Sequence, residues 1–184
     1  MFNNYKIYKD ARNASWQFLI DHQVSKLPVD LNTITRNMGI EVLVDKNQKI
    51  VSGRDYGVTI SRNGTATIVL RPNLLHQVAR YTTAHEIGHI VLGHTLSNMP
   101  TLTPAEREYQ AERFAIGILA PACVLWGLDL HTPEEIAKAC DISLTSARIR
   151  AERMEILYER RKFLTDPRER QVFQQFKPFI DSMK

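Results

Sequence analysis

The sequence predicts an α+β fold, mostly helical, in which a small antiparallel sheet packs on a long helix carrying His85-Glu86-Ile87-Gly88-His89. Three observations lead there. Apolar residues recur at helical intervals through most of the chain, two short alternating runs meet at an Asn-Gly turn, and proline-marked helix starts occur after residue 100. The 184 residues, 43% apolar, suffice for one domain or two small ones with a buried core, which excludes disordered, collagen-like and low-complexity classes.

An amphipathic helix is expected from about Asp10 to Gln23, with Ala14, Phe18 and Leu19 near one face, and Pro28 prevents any continuation. Asp30 then caps a short helix holding Leu31, Ile34 and Met38, which ends at Gly39. Ile40, Val42 and Val44 alternate with polar residues as in a half-buried strand. Two further strands, Tyr56 to Ser61 and Thr65 to Leu70, are joined through Arg62-Asn63-Gly64, where Asn-Gly supplies the positive φ of a tight hairpin. From Pro72 the period changes: Leu75, Val78, Ala79, Thr82, Ile87, Ile90 and Val91 predict a long helix to about Leu92, stopped by Gly93. Thr103-Pro104-Ala105-Glu106 has the form of a capping box, opening a helix to about Ala120. Thr132-Pro133-Glu134-Glu135 repeats that signal, Ser143 caps a helix to about Arg161, and Arg168 to Ile180 forms the last. This organisation predicts a metal-site core over residues 1–130 and a helical extension packed on it over 131–184.

Charge, cysteines and hydropathy narrow the class. Residues 148–184 carry 10 Lys+Arg against 6 Asp+Glu, leaving the rest of the chain balanced at 14 each. The interspersed acids mark this basic end as a solvated helix face rather than a nucleic-acid surface. Cys123 and Cys140 have no CxxC spacing and read as buried thiols in a reducing compartment. Met1 to Lys9 carries no apolar signal core, so a cytoplasmic protein is expected. The uncharged stretch Phe114 to Leu128, broken by Gly117, Pro121 and Gly127, is too short to span a bilayer and reads as buried helix plus turn.

His85-Glu86-Ile87-Gly88-His89 is an HExxH motif inside a predicted helix. At about 100° per residue, positions i and i+4 share a face, so both imidazoles can reach one metal ion while Glu86 reaches a water beside it. Ala84, Ile87, Gly88 and Ile90 surround the motif with small or apolar neighbours, so its polar groups need partners. A zinc ion needs a third protein ligand, from His94, Glu106, Glu108 or Glu112. His94 lies beyond Gly93, off the face of His85 and His89 and outside the HExxHxxGxxH spacing, and reads as a polar helix-end residue. Glu106 belongs to its capping box. Glu108 shares a face with Ala111, Glu112, Ala115 and Leu119, whose small residues allow a second helix to come close; Glu108 is the expected ligand. Glu112, one turn along, is spaced to take the outer N–H of a ligating histidine.

Thr83-Ala84-His85-Glu86-Ile87-Gly88-His89, then Glu108-Tyr109-Gln110-Ala111-Glu112-Arg113-Phe114-Ala115 and Leu119-Ala120-Pro121, resemble the ImmA/IrrE metallopeptidases. The likeness extends to Leu27-Pro28-Val29-Asp30, the hairpin, and Ile142-Ser143 with Arg148. It implies a zincin-like fold, Zn²⁺ held by His85, His89 and Glu108, and a cytoplasmic peptidase that acts on a helix-turn-helix repressor. Glu86 is then the general base that takes a proton from the metal-activated water and passes it to the leaving amine. Tyr81, His94 and His131 are candidate oxyanion donors.

Two other readings compete. Ile136 to Arg148 has the rhythm of a helix-turn-helix, which would make residues 132–161 a DNA-binding module, although Leu144, Thr145, Ser146 and Ala147 stand where base-reading side chains belong. Zinc could also be a structural staple in a partner-binding protein. Three protein ligands with a carboxylate at the base position argue against that, since closed structural sites use four Cys or His.

Overall fold

A computed structural model describes residues 2–62, 64–95 and 102–184. The chain forms two compact units, Met1–Ala11 with Asp30–Ala115, and Arg12–Val29 with Ile116–Lys184. Each is assembled from two separate stretches of the chain. Helix α1 (Phe2–Asp21) begins earlier than its apolar periodicity predicts, and its first part contributes buried Ile7 and Ala11 to the first unit.

Within the first unit, α2 (Leu31–Asn37) starts where Asp30 Oδ1 accepts the Thr33 N–H at 3.1 Å. Strands β1 (Glu41–Val44), β2 (Gly57–Arg62) and β3 (Thr65–Leu70) form one sheet in the order β1-β3-β2. The β2–β3 pair is antiparallel, with Gly57 opposite Leu70 and Arg62 opposite Thr65. Asn63 lies outside the described residues, and Gly64 takes the positive φ, +80°, that the turn requires.

The sheet is mixed rather than antiparallel, because β1 pairs parallel to β3, Glu41 opposite Thr67 and Val44 opposite Leu70. Burial decides which strand is central. Ile68, Val69 and Leu70 are consecutive buried residues, so β3 is covered on both faces and takes the centre, whereas β1 is exposed along its whole length. The two outer strands flank β3 with opposite sense.

Helix α3 (His76–Val91) carries the HExxH motif and buries Thr82, Thr83, Ala84, Glu86, Ile87 and Gly88. Its C-terminus closes by a Schellman turn: Gly93 has φ +75°, its N–H donates to Ile90 O at 3.1 Å, and the His94 N–H donates to His89 O at 2.8 Å. Helix α4 (Pro104–Leu119) opens with the expected box. Thr103 N–H donates to Glu106 Oε2 at 2.8 Å, and the Glu106 N–H donates to Thr103 Oγ1 at 3.3 Å.

Gly88 lets α3 and α4 meet. A Cβ there would stand 3.1 Å from Phe114 Cδ1 and 3.2 Å from the Ala111 carbonyl oxygen. Gly88→Ala asks the Ala111 backbone to give by a few tenths of an ångström; with the helix preference of alanine offsetting part of that cost, the protein is expected to be destabilised by about 1 kcal/mol. Urea unfolding measures it; unchanged stability would mean that the helices separate freely.

The second unit holds α5 (Ala122–Gly127), α6 (Pro133–Cys140), α7 (Leu144–Glu159) and α8 (Pro167–Ser182). The Thr132–Glu135 capping box and the Ser143 cap form as expected. Cys123 and Cys140 are buried and not joined in a disulfide, and burial pushes the Cys123 thiol up to about 12. No described helix is long and apolar enough to cross a membrane.

Candidate metal and catalytic site

One helical turn separates His85 from His89 on α3, and both rings point toward the carboxylate that α4 supplies from Glu108. His85 Nε2 lies 3.1 Å from Glu108 Oε2, His89 Nε2 lies 3.4 Å from Glu108 Oε1, and the two Nε2 atoms are 3.0 Å apart. Among the described residues these three form a group that could hold a metal ion, with one donor atom from each, all within 4.8 Å of one another. The imidazoles are mostly shielded, while the Glu108 side chain is 59% exposed, so the cluster opens on its carboxylate side. Burial first, and then the neighbouring His85, lowers the pKa of His89 to about 4. A neutral ring keeps a lone pair for coordination at pH 7.

Glu86, on the same turn, projects toward the sheet. Its Oε2 accepts the Thr59 hydroxyl of β2 at 2.6 Å. Burial raises the Glu86 pKa above the usual carboxylate range, Thr59 and His85 oppose that shift, and Glu108 adds to it. An acid whose folded pKa is raised makes the protein more stable as pH falls through that value, and the gain levels off below the unfolded pKa. Thr59→Val removes the hydroxyl that favours the charged form, so Glu86 of the metal-free variant should titrate at still higher pH. Carboxyl ¹³C NMR reads this directly; an unmoved midpoint would mean the bond leaves the carboxylate charge unaffected.

The four groups line a cavity of about 440 Å³ whose other walls include Arg54, Tyr56, Gly57, Val58, Thr59, Tyr81 and Thr82. The 45–56 loop that forms one side is organised by Asp45. Its carboxylate accepts the backbone N–H groups of Lys49, Ile50 and Val51 at 2.7–3.1 Å, and these bonds hold its pKa below the ordinary value. Arg71 Nη2 donates to Gly53 O at 2.7 Å and ties the loop to the end of β3. Sequence patterning leaves this wall and Thr59 unseen, since a hydroxyl on an edge strand has no spacing relation to a helix motif.

Glu112 is not brought to either histidine. Its half-exposed carboxylate lies 3.7 Å from Arg113 Nη2, and His85 Nδ1 is buried without a hydrogen-bond partner. Position 112 shares the Glu108 face one turn along, but its carboxylate pairs with Arg113 and acts electrostatically on Tyr81 instead of reaching the rings. The partner that sequence spacing assigns to Glu112 is His94 instead, at 3.1 Å between its Nδ1 and that of His89. His94 is buried, its Nε2 lies 3.0 Å from Gln110 Oε1, and Gln110 Nε2 donates to Ile7 O at 3.3 Å. Burial lowers the His94 pKa, with Gln110 opposing.

Of the oxyanion candidates, His94 is thus committed behind His89, and His131 sits in the second unit against Asp129 and Tyr158. Tyr81 lines the cavity, its ring centroid 6.3 Å from that of His85, with burial pushing its hydroxyl up to about 12. The helix-turn-helix rhythm is present as α6, a left-handed Asp141 and α7. However, Arg150 is buried and donates to Ile116 O at 2.9 Å, so part of the basic charge serves packing in its own unit.

Among curated proteins no match to the chain is found. A family model, the IrrE N-terminal-like domain, matches residues 35–152, more than half of the chain and the whole of the His85, Glu86, His89 and Glu108 cluster. With its helix-borne histidines and glutamate gathered at one opening, the chain belongs to the Peptidase_M78 family of metallopeptidases.

Proposed function

We propose that the protein is a zinc-dependent endopeptidase that hydrolyses a peptide bond in a helix-turn-helix transcriptional repressor, with Glu86 as general base. The observation that carries this reading is the donor triangle His85–His89–Glu108 with Glu86 held beside it. Donors about 2.0–2.1 Å from a tetrahedral zinc ion sit roughly 3.3 Å apart. The separations of 3.0, 3.1 and 3.4 Å between donor atoms of the three side chains fit that edge length. Two imidazoles and one carboxylate leave a fourth position, the set used by catalytic rather than structural zinc. When bound there, zinc supplies Lewis acidity toward a carbonyl and a water.

The chain's own residues do the rest. Glu86 lines the cavity with one oxygen on the Thr59 hydroxyl, and its raised pKa brings it nearer neutrality, where it can take up a proton and return it to a leaving amine. Tyr81 keeps its hydroxyl proton at neutral pH and is suited to donate to the oxygen on which charge develops. Among the described residues β2 is an edge strand, and Gly57, Val58 and Thr59 line the cavity, so an extended peptide can pair with its free edge beside the donor triangle. A peptide substrate is inferred from that edge; a repressor as its source is inferred from the resemblance to the ImmA/IrrE peptidases.

The experiment is incubation of the protein with zinc and the product of a small repressor gene encoded beside it, read by mass spectrometry. Cleavage at a defined bond, abolished by a chelator, supports the reading. An intact repressor with zinc demonstrably bound would remove the repressor as substrate.

A further inference from the structure

The atoms behind His89 form a chain whose proton positions are determined from its far end. Ile7 O can only accept, so the Gln110 amide turns its NH₂ toward it, at 3.3 Å. Gln110 Oε1 then faces His94 Nε2 at 3.0 Å, and being an acceptor it requires the proton of His94 on Nε2. A neutral His94 is left with a bare Nδ1. That atom lies 3.1 Å from His89 Nδ1 and can only accept, so His89 carries its proton on Nδ1 and its lone pair on Nε2, the atom in the donor triangle.

We infer that His94 and Gln110 are positioning residues that hold His89 in its metal-ready tautomer before any ion arrives. The backbone makes the relay possible: with Gly93 in the left-handed region, the Schellman turn folds the chain back so that a residue five positions after His89 meets the Nδ1 edge of its ring. The arrangement is one-sided. His85 has no counterpart, its Nδ1 being buried and unpartnered. His89 is therefore the preorganised anchor, and His85 with Glu108 adjusts to it. The role in metal binding rests on the zinc reading above; the tautomer does not.

The test uses the full chain and three variants. His94→Asn places an amide oxygen near the position of the lost Nδ1, His94→Ala removes the acceptor, and Gln110→Leu frees His94 to take either tautomer. Long-range ¹H–¹⁵N NMR of the metal-free protein at pH 7 reads the His89 tautomer, and competition with a chromophoric chelator reads zinc affinity. The wild type is expected to show His89 as the Nδ1–H form. His94→Ala and Gln110→Leu should show a mixture and bind zinc about 10–100-fold more weakly, the range for loss of an outer partner. His94→Asn should keep the wild-type tautomer and most of the affinity.

Wild-type His89 protonated on Nε2, or equal losses in His94→Ala and His94→Asn in step with their melting temperatures, would overturn the inference. Should His94→Ala fail to fold, the Gln110→Leu spectrum decides alone. A wild type with the expected tautomer but no zinc affinity would uphold the relay and sink the zinc reading, so the two failures are distinguishable.

Discussion

Glu86→Gln is expected to bind zinc as tightly as the wild type while cleavage falls by roughly 10²–10⁴-fold, the usual contribution of a positioned general base. The glutamate is not among the three converging donors. It stands one residue from His85, with an oxygen on the Thr59 hydroxyl 2.6 Å away. An amide can keep that hydrogen bond through its own carbonyl oxygen, so the variant preserves shape and metal locus and loses only the capacity to take a proton. Zinc content from elemental analysis and repressor cleavage from a timed gel, on the same sample, separate the two properties. A variant that retains zinc and cleaves normally would show that the proton goes elsewhere. One that loses zinc would place Glu86 among the ligands.

Glu108→Ala is expected to weaken zinc binding by more than the ~100-fold that an outer partner costs, because it deletes the only donor that α4 contributes to the triangle. Glu112→Ala, one turn further along α4, is the matched control. Its carboxylate is occupied with Arg113 and touches neither imidazole, so zinc affinity should stay within a factor of about two, a change too small to register as loss of an outer partner. Titration of both variants against a chelator of known affinity gives the comparison. Equal losses would mean that Glu112 moves onto His85 Nδ1 when the ion binds.

How much of this is legible in the chain depends on whether a feature is local. His85 and His89 are four apart on one helix, and no tertiary arrangement is needed to point them the same way. Glu108 is reachable by elimination: Thr103 claims Glu106, and Ala111 marks the face along which a second helix can approach. His94 escapes spacing arguments for an instructive reason. Read locally, Gly93 is only a helix stop, whereas a left-handed glycine also redirects the chain, and here it returns the next residue to the ring of His89. Glu112 misleads in the opposite way, since shared helical spacing places a Cβ but does not choose between a histidine and an adjacent arginine.

The sheet shows the same division. Alternation and an Asn-Gly turn are enough to specify the β2–β3 hairpin, whose register depends on a two-residue loop. Nothing local requires β3 to lie between β1 and β2; that order comes from which strand must be covered on both faces. By itself the chain of residues determined most of its helices, the caps at Asp30, Thr103, Thr132 and Ser143, the hairpin, and which imidazoles and glutamates to look for in the cluster, because these depend mainly on spacings of a few residues. The tertiary structure alone decided the parallel β1, the Thr59 hydroxyl on Glu86 and the path from Ile7 through Gln110 and His94 to His89. Those contacts join positions up to 103 residues apart, where packing and the need to satisfy buried polar atoms, rather than periodicity, select the partner.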